Sequence, residues 1–245
     1  MNEAERASQS LSIETLIVDV GAVSRKEVTE VFGISIGDPA VPEVSFSYDE
    51  ERDLCFGKAF DNRAGCACII DTMTRLCGEK DQLAVRVTGA FAAQEEVGTR
   101  GATVTSQIVR PDLAIVFEGS PSDDFYFSAA QTQGHMRGGV QIRRMDKSYI
   151  SNPVFIEYAE ELAKKFGIPF QETVRRGGST NAGKISLTAK AVPVWSRRPE
   201  PVMFIPIIIS VRNTDLEAAA DLAVEVIRGL DAEKIRHICR QDILK

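Results

Sequence analysis

The sequence predicts an α/β sandwich around a mostly parallel or mixed sheet. Two observations predict it. Short apolar runs of strand character alternate with stretches of helical spacing. The chain has 245 residues and 44% hydrophobic content, enough to bury a sizeable core in one large domain, or in one domain plus a small one. A third observation concerns what such a sheet would carry. Acids recur where the strand-like runs stop, and open α/β sheets bind ligands beyond those carboxyl ends.

Taken in order, "IETLIVDVGA" (13–22) reads as a short strand and "SRKEVTEVFG" (24–33) as a short helix ending in Gly. "PEVSFSYDEERDLCFGKAF" (42–60) alternates like two hairpin strands. Residues 1 to about 52 are more β-like, lack long helices and read as a separate small domain, leaving 53–245 as the α/β domain. "DNRAGCACIIDTMTRLCG" (61–78) has helical spacing and a terminal Gly. "LAVRVTGAFAAQ" (83–94) reads as a strand, "TRGATVTSQIV" (99–109) as a helix and "PDLAIVFEGS" (111–120) as a buried strand. "NPVFIEYAEELAKKFGIPF" (152–170) is a helix stopped by Gly167. "NTDLEAAADLAVEVIRGL" (213–230) is a helix capped by Asn213 or Thr214 and closed by Gly229.

Several function classes are disfavoured. Net charge is -6 without a long basic run, which argues against nucleic acid. No apolar stretch reaches the ~20 residues of a membrane helix, and the polar, acidic start is unlike a signal peptide. Five scattered cysteines make no disulfide framework, and the composition reads as cytoplasmic. Cys66 and Cys68 stand two apart on a helix, where side chains do not share a face, and read as small core residues rather than a zinc pair. The two histidines, His135 and His237, read as a loop residue and a helix-surface residue.

The chemistry concentrates in four acids. Asp61 follows "GKAF", Glu95 and Glu96 end "VTGAFAAQ", and Glu118 ends "DLAIVF". Each alone reads first as a helix cap or loop residue. Together they would repel unless protonated or bridged by cations, and a metal pair is the economical explanation. Within Glu95-Glu96, successive residues leave a strand in opposite directions. One can hold metal while the other serves as general base.

At these residues the chain resembles the dinuclear-metal aminopeptidases of the tetrahedral (TET) and glutamyl or deblocking type. The resemblance is carried by "IETLIVDVGAVSRKE", "GISIGDPAV", "GKAFDNRAGCACIID", "AAQEEVGTRGA", "PDLAIVFEGS", "RGGVQIRRMDKSYISNP" and "RRGGSTNAGKISLT". It implies a three-layer sandwich with a mixed sheet of the zinc-peptidase type, and two divalent ions, zinc or cobalt. It also implies an inserted β-rich dimerisation domain, of which 1–52 would be a remnant. By the same resemblance Asp61 bridges the metals, Glu95 is the base, Glu96 and Glu118 each bind one metal, and the Asp61-Asn62 bond is cis. Gly177, Gly178, Ser179 and Thr180 lie in a substrate loop, with Asn181 where many members have Asp. The partners implied are peptides with a free N-terminus and further copies of the chain, from dimer to dodecamer.

Two departures qualify the activity. The family's first histidine ligand precedes the inserted domain, and the match begins inside that domain. The second belongs to an "Arg-Tyr-Val/Ile-His-Ser/Thr" motif due near Ile205, where the chain reads "WSRRPEPVMFIPIII". Read one base earlier, the codons for Val202 to Ile208 permit Tyr-Val-His-Thr-His-Tyr. Residues from about 195 to 210 therefore read as a frame-shifted form of that motif, with genuine divergence as the rival. The expected function is a metal-dependent aminopeptidase, impaired or inactive as written. The alternatives are a non-catalytic subunit of active homologues and a glycan hydrolase built on paired carboxylates.

Overall fold

The structure is a computed structural model. It describes residues 16–120, 122–124, 126–188, 194–197 and 209–239, with backbone alone for 194–197 and 209–211. In chain order the helices and strands are α1 (Arg25–Glu30), β1 (Ser47–Asp49), β2 (Leu54–Gly57), α2 (Phe60–Cys77), α3 (Arg100–Val109), β3 (Val116–Gly119), β4 (Val140–Asp146) and β5 (Tyr149–Ile150). They continue with α4 (Pro153–Phe166), β6 (Phe170–Val174), α5 (Ala182–Ile185), β7 (Val194–Arg197), β8 (Ile209–Arg212), α6 (Asn213–Gly229) and α7 (Ala232–Ile238). The chain divides into two compact units, Met1–Glu43 and Val44–Lys245.

In the first unit, Ser24 caps α1 by accepting from the Glu27 N–H, while the Glu27 carboxylate accepts from the Val23 N–H. This nearly reciprocal pair is a capping box displaced by one residue. Gly33, with positive φ, turns the chain after the helix. The strand expected over 13–22 is not found in its described part. Leu16 to Val20 belong to no ladder, and Ile17 is 90% exposed. Apolar character alone does not make a strand without a neighbouring backbone to pair with.

The second unit holds two sheets. The expected hairpin forms, with Ser47 opposite Phe56 and Asp49 opposite Leu54, and β8 adds antiparallel to β2. The larger sheet runs β3-β7-β4-β5, with β6 on β4. β3 pairs parallel with β7, and β4 runs parallel to β6 and antiparallel to β7 and β5, so the sheet is mixed as expected. β4 is its best-connected strand. One face, Val140 and Ile142, packs under Phe155, Ile156, Ala159 and Ala163 of α4 and Ala219, Leu222, Ala223 and Val226 of α6. Each large side chain buried there contributes about 1.5–3 kcal/mol, and the alanines let the helices close on the sheet. The other face carries Gln141 and Arg143, both buried and polar.

Two further expectations are corrected. Residues 83–94 are assigned to no strand among the described residues. The period-2 alternation is real: Leu83, Val85, Val87 and Gly89 are half-buried and their neighbours exposed. Leu83, Val85 and Val87 pack on Leu76, Val224 and Ile227. The pattern fixes which face is inward, but a ladder needs a partner backbone as well. The second correction concerns α6, which begins at Asn213 itself, so neither Asn213 nor Thr214 caps it. Asp53, at the distant hairpin turn, accepts from the Thr214 N–H (3.1 Å) and hydroxyl (2.7 Å) and from Arg212 Nε (3.0 Å). Local reading cannot see a cap supplied from so far along the chain.

Candidate functional site

Asp61 lies at the start of α2, where Asp61 and Asn62 have non-helical backbone angles and the bond between them is cis, as expected. Asn62 is the fastener. Its Nδ2 donates to the Phe117 carbonyl in β3 (2.8 Å), and its Oδ1 accepts from the Gly65 N–H (2.8 Å). This ties the head of α2 to the strand that carries Glu118. Gly119 lies beside the Asp61 carboxyl, and a Cβ there would sit in ordinary contact with it at 3.4 Å.

Glu95 and Glu96 leave their extended segment into a tight turn rather than from a paired strand. The Glu95 carbonyl accepts from the N–H groups of Gly98 (2.9 Å) and Thr99 (2.8 Å), and Gly101 donates to the Ala93 carbonyl (2.9 Å). Gln94, Gly98 and Thr99 all take positive φ, and α3 starts immediately after. The turn holds Glu95 half-buried and Glu96 exposed.

The charge of Asp61 acts on each of the other three acids. Glu118 is 8% exposed, and burial pushes its carboxyl up to about 8. The charges of Asp61 and Glu95 push the same way, against the Gly119 N–H (2.9 Å to Oε1) and the positive field of Arg143. Burial also raises Glu95, helped by the charges of Glu96 and Asp61, and raises Glu96, helped by Asp61. Asp61 is raised by burial and partly relieved by the Glu118 carboxyl acting as donor. That contact is loose, for Glu118 Oε2 is buried without a partner at hydrogen-bond geometry.

Hard carboxylate oxygens and an orphaned buried oxygen suit a divalent cation in kind. The set is short in number: among the described residues no three His, Cys, Asp or Glu side chains converge as metal ligands do. His135 is an exposed loop residue and His237 lies on the surface of α7, both as expected. Position 205 lies outside the described residues. None of the five cysteines is in a disulfide, and Cys68 is buried while Cys66 is half-buried on α2.

The Gly177–Thr180 loop follows β6. Gly177, Gly178 and Ser179 are exposed, whereas Thr180 is buried with its hydroxyl donating to Asp146 Oδ2 (3.1 Å). Arg143 Nη1 donates to the same oxygen at 3.3 Å. Sequence reasoning missed Arg143 and Asp146. The available signal was a charged pair three apart in "VQIRRMD", inside what proves to be the best-connected strand. Ion pairs at that spacing are ordinary on surfaces, and only the sheet reveals that this one is buried.

Among the described residues no helix is long and apolar enough to cross a membrane. Among solved structures, the chain is similar to a TET aminopeptidase from the marine sediment archaeon Thaumarchaeota archaeon SCGC AB-539-E09. The two are 29% identical with a TM-score of 0.89, over 97% of this chain and 66% of that one. An aminopeptidase from Desulfurococcus kamchatkensis is 28% identical with a TM-score of 0.85, over 95% and 65%. A relative from Acetivibrio thermocellus is 30% identical over 89% of this chain and 64% of its own length. The chain thus spans about two thirds of the length of the relatives it matches. The M42 glutamyl aminopeptidase family matches residues 1–196, and the chain belongs to that family.

Proposed function

We propose that the acid cluster is the metal-binding and catalytic centre of an aminopeptidase that removes N-terminal residues from peptides. The observation that carries this reading is that Asp61, Glu95, Glu96 and Glu118 are all raised in pKa, the other three each in part by the charge of Asp61, and that one buried Glu118 oxygen has no hydrogen-bond partner. Family membership supports it. Asp61, Glu96 and Glu118 would hold two divalent ions, zinc or cobalt. When bound, these supply Lewis-acid stabilisation and an acidified water.

The chain's own residues do the rest. Glu95, half-buried and raised in pKa, accepts the proton of the attacking water and passes it to the departing amine. The remaining negative charge draws in the ammonium of a free N-terminus. The exposed Gly177, Gly178 and Ser179 offer backbone groups to the substrate, and Thr180 anchors their loop. Hydrolysis by this chain is expected to be weak, because a carboxylate set without imidazole is a poor zinc site. Residues 1–52 serve as part of a dimerisation domain and 53–245 as the catalytic domain, working as a homo-oligomer in the cytoplasm. A second reading, a non-catalytic partner of active homologues, is favoured by the exposed Ile17, Val23 and Ile36 in the first unit.

The deciding experiment titrates the chelator-treated protein with Co2+ or Zn2+ and follows heat and thermal unfolding. Trialanine and its N-acetyl form are then compared as substrates. Metal binding that Asp61→Asn and Glu118→Gln weaken at least tenfold is expected. Any turnover should require the free amine. Binding unchanged in both variants would sink the metal-centre reading, and binding without turnover would favour the partner-subunit reading.

A further inference from the structure

The Gly177–Thr180 loop is fastened to one place, the turn between β4 and β5. The Arg175 N–H donates to the Met145 carbonyl (2.9 Å), and the Lys147 N–H donates to the Gly178 carbonyl (3.2 Å). The Thr180 N–H donates to Ser148 Oγ (3.4 Å) and its hydroxyl to Asp146 Oδ2 (3.1 Å). Asp146 is the common partner. Its Oδ1 accepts from the Ser148 N–H and hydroxyl, both at 2.8 Å. Its Oδ2 accepts from Thr180 and from Arg143 Nη1, and the Arg143 and Asp146 side chains are 6% and 0% exposed.

Arg143 in turn shares a sheet face with Glu118. Glu118 stands opposite Ser196, and Ser196 opposite Gln141, so Glu118 and Gln141 belong to one row; Arg143 lies two residues along the same face. The Arg143 backbone is held as well, its carbonyl accepting from the Ser151 hydroxyl at 2.6 Å. A buried ion pair contributes little net stability over an apolar pair of similar volume, so its value lies in what it fixes in place. Here one end faces the carboxylate that ends β3, and the other grips the only buried residue of the loop.

We propose that the Arg143–Asp146 pair is a positioning element that sets the Gly177–Thr180 loop relative to Glu118 through the Thr180 hydroxyl. On the reading that this loop holds a peptide's N-terminal residue, the pair also governs how firmly that residue is held. Neither Arg143 nor Asp146 touches substrate; both act through Thr180.

Thr180→Val removes the hydroxyl and keeps the shape, while Thr180→Ser restores the hydroxyl. Trypsin cleavage between Arg176 and Gly177, followed by mass spectrometry under native conditions, reads loop opening. Thr180→Val should speed this cleavage about fivefold, the worth of one hydrogen bond, with other tryptic sites unchanged. Thr180→Ser should return it to the wild-type rate. Asp146→Asn should act in the same direction. Wild-type cleavage at this bond in both Thr180→Val and Asp146→Asn, or equal acceleration at every tryptic site, would overturn the proposal.

Trialanine with Co2+ separates the two readings. Slower loop cleavage in wild type and Thr180→Ser, but not in Thr180→Val, ties the positioning to substrate. If the tripeptide changes nothing in wild type while the Thr180→Val effect persists, the substrate role of the loop fails and its positioning by Asp146 stands.

Discussion

Gly101 shows how little room the turn after the paired acids leaves. A Cβ at this position would fall 2.3 Å from the Ala93 carbonyl oxygen and 2.5 Å from its nitrogen, both backbone atoms that cannot swing aside. Gly101→Ala should destabilise the fold by about 1–3 kcal/mol, read as a lower urea midpoint. On the proposed reading of the site it should also weaken Co2+ binding, because the same turn sets Glu96. Glu118 gives a pH signature. Its folded pKa of about 8 lies above the unfolded carboxylate value, so between roughly pH 4.5 and 8 the folded state holds a proton that the unfolded chain has released. Stability of the metal-free protein should therefore fall as pH rises through that window, by up to a few kcal/mol. Glu118→Gln should flatten the slope; an unchanged slope in denaturation at stepped pH, with chelator present, refutes the assignment. The sequence placed all four acids at the ends of apolar runs. It could not say that Glu118 is the one driven hardest toward neutrality, because burial is a property of the assembled sheet.

At the scale of elements, most boundaries were legible because their causes are local. Gly167, in the left-handed region, ends α4 as the sequence predicts, and Asn152 caps its start by accepting from the Phe155 N–H. The α6 cap was not legible, since Asp53 supplies it from the hairpin. Hydrogen bonds from Thr214 and Tyr48 and the charge of Arg212 outweigh burial and hold the Asp53 carboxyl below its usual value. Its contribution is thus present above the unfolded carboxylate pKa of about 4 and is lost as pH falls below it. Asp53→Asn keeps a residue tolerant of the positive φ found there. It should cost about 1–2 kcal/mol at neutral pH, with the difference from wild type shrinking in acid, measured by urea unfolding at both pH values. β4 was missed as an element, although "GGVQIRRMD" became the sheet's best-connected strand. Its polar residues disguise it, and the loop before β4 lies close over Gln141. Gly134 and Gly138 of that loop approach so closely that added Cβ atoms would meet the Gln141 and Gln171 amides at 2.2 and 2.1 Å.

For the molecule as a whole, one apolar surface asks for a partner. In the first unit Ile17, Val23 and Ile36 are each about nine-tenths exposed. Apolar side chains left in water favour association. Light scattering after gel filtration should find oligomers whose mass falls when Ile17→Glu and Ile36→Glu are combined. A monomer in both proteins would refute a role for the first unit in assembly.

The sequence by itself determined the α/β class, the helix stops, the four acids of the candidate site and the kinship with the M42 glutamyl aminopeptidase family. These rest on periodicity, glycine and cap chemistry, and motif spacing, all readable along a line. Only the tertiary structure decided that residues 83–94 alternate without a ladder, that Asp53 caps a distant helix, and that Arg143 and Asp146 lie buried between Glu118 and the Gly177–Thr180 loop. Each of these depends on which backbone lies beside which, and burial and pairing come into being only when segments far apart in the chain are packed together.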